Sequence, residues 1–203
     1  MILGSAPSQW PVDPAPSLSN APDRRRRRSC EDGSVDLFHF SHDPSIQQFT
    51  PHVPRSNPTQ PPSVWAIDAA HAPLYWFPRD CPRVAAWPRD DVERLAFRDA
   101  FCTAATRVHA VELSWLRALS TTVLFRYRFD ASAFCPWPEA SGQWISDQTI
   151  EPVAVEAMGD LIRCHVDAGI ELRAVPSLWP IRDLACSGPW DFSVVRFKNA
   201  RPG

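Results

Sequence analysis

The chain has 203 residues, 44% of them hydrophobic, with nine Trp and eleven Phe. That is enough apolar material for one well-buried domain, and the length argues against two. A formal net charge of −2 supplies no long-range attraction toward nucleic acid or an anionic membrane surface. Nearly all basic charge is arginine, with Lys198 the single lysine, which reads as codon usage in a GC-rich genome.

No window approaches the ~18 apolar residues of a membrane span. Residues 1–20 lack the basic start and apolar core of a secretory signal. Six cysteines, at 30, 81, 102, 135, 164 and 186, show no metal-type or paired spacing. Without a signal peptide, reduced thiols and a cytoplasmic location are the expectation.

Residues 1–34 are rich in Pro, Ser and Ala and hold five consecutive arginines at 24–28. Such a segment buries too little to offset its ordering entropy, so a disordered tail is expected, followed by one α+β domain over 35–203. In chain order, "LFHFS" reads as a first strand with His39 inside it. A proline-dense loop follows through Pro62, then a strand at 63–67 ending on Asp68. A helix is expected from His71–Ala72, with Pro73 in its first turn, stopped by Pro78. "RVAAW" is a short strand, and "DDVERLAFRDAFC" an amphipathic helix. Further strands are expected at 107–113, 122–129, "GQWISDQTI", "PVAVEAM", "IELRAV" and "DFSVVRF". Helices lie between them, at "SWLRALS" capped by Ser114, from Asp160 to Gly169, and around "SLWPIRDLAC". Strict βαβ alternation fails and no glycine-rich phosphate loop is present. The pattern therefore gives an α+β fold with a mixed or antiparallel sheet.

Four groups of residues bear on chemistry. His39, His42, Asp43 and His52 are metal-ligand types, but His39 and His42 point to opposite faces of a strand, and no metal site is expected. Cys81 lies between Arg79 and Arg83, a setting that lowers a thiol pKa, and needs His71 or His109 as base. Trp137 and Trp144 flank Glu139 and Gln143, as in a pocket for a sugar or flat ring, or as core tryptophans beside an amide satisfied by the loop. The last group combines His39 on the first strand, Tyr75 after the second, and Gln143 opening a later one.

The phrases "LFHFSHDPSI", "HVPRSNPTQPPSVWAID", "PLYWFPRDCPR", "PWPEASGQWIS" and "FSVVRFKNARP" resemble a bacterial family of unknown function over residues 36–202. The order of strand with His, long loop, strand then aromatic-bearing helix, and late strand opening on an amide is similar to ADP-ribosyltransferase-like folds. That resemblance implies a split sheet and NAD as substrate. His39 would contact the adenosine ribose and the nicotinamide carboxamide, Tyr75 would stack on nicotinamide, and Gln143 would orient the nicotinamide ribose while the N-glycosidic bond breaks. Phe40 stands where that superfamily has Gly after its His, and Gln143 replaces a charge-stabilising Glu. These departures leave a non-catalytic nucleotide-, sugar- or partner-binding module on the same scaffold as the alternative.

Overall fold

The computed structural model describes residues 2–4, 35–53 and 59–203. Two sheets and four α-helices form one α+β unit, as expected. Of the tail expected to be disordered, residues 5–34, including the arginine run, lie outside the described residues. Ile2–Gly4 (β1) pairs antiparallel with Asp191–Val195 (β11).

The first sheet runs β1, β11, Arg83–Trp87 (β4), Val108–Glu112 (β5), Glu171–Val175 (β10), antiparallel apart from the parallel β5–β10 edge. The second is antiparallel throughout. Its order is Cys135–Pro136 (β7), Gln143–Ser146 (β8), Val64–Asp68 (β3), Leu37–Ser41 (β2), Leu124–Phe129 (β6), Ala154–Met158 (β9).

Strand alternation sorts the first sheet's residues into two layers. Val84, Ala86, Val108 and Ala110 face outward onto Asp91–Phe101 (α1) and Trp179–Ser187 (α4), where Phe97, Phe101, Leu178, Ala185 and Trp190 complete a core. Arg83, Ala85, His109 and Val111 face the opposite way, toward the second sheet. There Val111 joins Phe77, Cys81 and Leu124, with Leu119 of Leu116–Thr121 (α2) and Leu161 of Leu161–Asp167 (α3), in a cluster that binds the two sheets together. The far face of the second sheet is covered by its own loops. Phe49 and Ile150 close over Leu37, Val64, Tyr127 and Phe129.

Local chemistry accounts for the ends of the elements. Asp90 caps α1 by accepting from Glu93 N at 2.8 Å, while the Glu93 carboxylate accepts from Arg89 N at 2.8 Å. Asp160 caps α3 in the same way. Two expectations change, and one strand was not expected. The helix after Asp68 is a single 3₁₀ turn, Ala72–Tyr75, because Pro73 admits its start while Trp76 leaves helical geometry and Pro78 bars its continuation. Ser114 does not cap a helix. It lies inside the 3₁₀ turn Leu113–Trp115, which runs directly into α2. The two-residue strand β7 was too short to show as a pattern.

Candidate functional site: an arginine-lined cleft between the sheets

The strand β2 carries the question of His39. It pairs with β3 only at Leu37–Asp68 and Phe38–Ile67, after which the two strands part. His39 Nδ1 donates to Trp65 O at 3.1 Å, so the imidazole substitutes for the ladder bond lost at the split. The ring packs on Phe49 at 4.9 Å, under the 42–49 loop. Burial lowers its pKa, with the bond to Trp65 opposing, and the ring stays neutral.

The neighbouring side chain, Phe40, points to the other face and stacks on Tyr75 with ring centroids 6.2 Å apart. Gln143 is in register with Ile67, hence on the Tyr75 side of the sheet. The three residues expected to grip NAD therefore do not converge. Tyr75 and Gln143 share a face, and His39 lies behind β2, because successive residues of a strand alternate.

Cys81 is likewise not a thiolate centre. It is fully buried, its Sγ donates to Pro82 O, and burial pushes the thiol pKa up to about 12 despite Arg83. Among the described residues no three His, Cys, Asp or Glu side chains cluster as metal ligands. His42 is exposed at the cleft, Asp43 is held by Ser45 in a local turn, and His52 bridges to Ser63. Trp137 packs edge-on against Trp65 at 5.6 Å, and Trp144 packs against the covered face of the second sheet.

What the two sheets do enclose is a cleft of about 590 Å³, of a size for a small-molecule ligand. Phe40 and Leu124 line it from the second sheet, Arg83 and Val195 from the first, and Tyr75 and Phe77 from the connection between β3 and β4. Arg79, Arg196 and Lys198 add three more cations, and none of the twelve lining residues is acidic.

Arg83 is the centre of this arrangement. It opens an otherwise apolar strand and is 7% exposed. Its Nε donates to Leu74 O at 3.0 Å and its Nη1 to Cys81 O at 3.2 Å, with the guanidinium 4.9 Å over the Phe77 ring. Among the described residues no carboxylate pairs with it. Burial lowers its pKa to about 10, so it remains charged at neutral pH. A buried cation without a counter-charge is costly, and an anion in the cleft would offset that cost.

The rim is fixed by the chain's end. Asn199 Nδ2 donates to Asp80 O at 2.8 Å, and Arg196 Nε lies 3.8 Å from the Asp80 carboxylate. Arg196 holds a left-handed backbone, φ 54°, an unusual conformation for a side-chain-bearing residue and one found preferentially at binding sites. Burial pushes the Tyr75 phenol up to about 12, with Arg83 opposing, so the ring presents a neutral hydroxyl.

Fold and cleft together define a two-sheet α+β protein with a cationic, aromatic-walled cavity between its sheets. The chain belongs to a family of unknown function, DUF6886, whose profile matches residues 38–200. No curated protein and no solved structure matches the chain. Among the described residues no helix is long and apolar enough to cross a membrane.

Proposed function

We propose that the chain is a binding domain for a nucleotide-class anion. The phosphates sit against Arg83, Arg79 and Lys198, and the ring lies against Phe40 and Tyr75. The observation that carries this reading is Arg83, a buried guanidinium lining the cleft with two backbone acceptors and no carboxylate among the described residues. Arginine suits the role because its planar fork matches phosphate oxygens while its face stacks on an aromatic ring. NAD, which the ADP-ribosyltransferase resemblance implies, carries the same pyrophosphate and is one member of this ligand class. Cleavage of its nicotinamide bond has less support, because Tyr75 lines the cleft whereas His39 is turned away from it.

A thermal-shift series on the full chain with orthophosphate, adenosine, AMP, ADP and NAD tests the reading. Ligand at a hundred times its Kd adds ~2.7 kcal/mol, or roughly 5–10 °C for a domain of this size. ADP and NAD are expected to give such shifts, with adenosine giving little. Equal shifts from ADP and adenosine, or none from any, would remove the proposal. Nicotinamide release, measured in the same samples and lost on Gln143→Ala, would replace binding by catalysis.

A further inference from the structure

A second group of side chains lies outside the cleft, where β3 meets the turn that precedes β8. Asp68, the last residue of β3, accepts through Oδ1 from both the backbone N and the Nδ1 of His71, each at 2.8 Å. Because Nδ1–H is committed to the carboxylate, the free lone pair of the imidazole is on Nε2. The partner of Nε2 is the hydroxyl of Ser141, with Oγ at 3.5 Å. From these three contacts we infer a serine nucleophile, Ser141, with His71 as its general base and Asp68 as the positioning carboxylate. They would carry out hydrolytic acyl transfer on a small ester.

The surrounding chain is shaped to hold this contact. Gly142 has φ +75°, and a Cβ at that position would lie 2.2 Å from His71 Nδ1, so only glycine lets the Ser141 turn close on the imidazole. Asp68 N donates to Gly142 O at 2.9 Å, which ties the nucleophile's turn to the strand bearing the acid. Trp87 packs edge-on against the His71 ring at 5.9 Å, and Arg107, stacked on Trp87, donates to Ala70 O at 2.8 Å. Ser141 is exposed, whereas His71 and Asp68 are half-buried at 15% and 22% side-chain exposure. A nucleophile at the surface backed by a shielded base and acid is the arrangement that activates a hydroxyl. Backbone hydrogen bonds within the turn use the amides of Trp137, Ala140 and Gln143, and among the described residues none uses those of Ser141 and Gly142.

The reaction closes without a redox partner. Ser141 Oγ bonds to the ester carbonyl carbon as its proton passes to His71 Nε2 and the carbonyl π pair moves onto oxygen. The oxyanion re-forms C=O and expels the alkoxide, which takes the proton from His71. Water then adds to the acyl-serine, its proton again going to Nε2. The carbon–Oγ bond breaks, Ser141 recovers its proton, and a carboxylic acid leaves.

A fluorophosphonate probe is the direct test, since Oγ displaces fluoride from phosphorus and leaves a stable adduct. With the full chain, peptide mass spectrometry is expected to place the adduct on Ser141. Its rate should fall about 10²-fold or more in His71→Ala. Asp68→Asn should slow labelling and change the pH profile, whereas a purely structural carboxylate would alter melting alone. Adducts elsewhere, or equal Ser141 labelling in folded His71→Ala, would overturn the assignment.

Discussion

Acidification from about pH 7 to about pH 5 is expected to destabilise the fold steeply, well before carboxylates begin to protonate. The cause is a buried imidazole pair between the sheets. His165 Nδ1 donates to Leu161 O at 2.7 Å, so its Nε2 must accept, and it does so from His109 Nδ1 at 3.0 Å. His109 Nε2 is left as a bare acceptor, buried and without a hydrogen-bond partner among the described residues. A proton on His165 Nε2 would face the N–H of His109, and a proton on His109 Nε2 would find no acceptor. Burial lowers both pKa values, that of His109 well below the ordinary imidazole value, and Arg83 and Arg107 add to the effect on His109.

The sign follows from where the protons go. Below about pH 6.5 the unfolded chain takes up protons on both imidazoles more readily than the folded chain does, so stability is complete above that pH and falls as pH drops toward the folded values. Each histidine contributes at most ~1.4 kcal/mol per pH unit inside the window, so the limit for the pair is about 2.7 kcal/mol per unit. For a domain of this length that is roughly 5–10 °C in Tm per pH unit. Melting curves across the range check it. A flat profile from pH 7 to pH 5, or a slope unchanged in His109→Gln/His165→Gln, would contradict the assignment of the pair.

The second large effect is on ligand affinity. Arg83→Lys is expected to weaken ADP binding at least ~30-fold, or about 2 kcal/mol, the scale of one lost hydrogen bond to a charged group. Lysine keeps the charge but lacks the planar fork that reaches Leu74 O and Cys81 O while lying over Phe77. Equilibrium titration by fluorescence, beside a melting curve to establish folding, separates the two roles of the residue. Affinity within threefold of wild type in a folded variant would mean that Arg83 is structural alone.

Most strands were legible because their apolar and β-branched runs are bounded by Pro, Asp and Gly. The parallel pairing of β5 with β10 was not, since register between distant segments leaves no local mark. His39 was visible as an anomaly, but its use was not. An imidazole bonding the Trp65 carbonyl where two strands split requires knowing that they split. Arg83 had a readable signal, as a charged residue opening the buried strand "RVAAW", although beside Cys81 it suggested thiol activation instead. Asp68 and His71, three residues apart at a strand end, were also readable as a pair. Ser141 was not, because the turn that brings it to His71 closes a sequence separation of 70 residues.

The proposed occupant of the cleft between the sheets is a nucleotide anion. Calorimetric titration of ADP into the full chain tests it, wild type beside Arg79→Ala/Lys198→Ala, two cationic positions that make no ion pair among the described residues. One saturable site is expected in wild type, with an affinity that falls with salt, and at least tenfold weaker binding in the double variant. No heat with wild type, or identical isotherms for the two proteins, would contradict it.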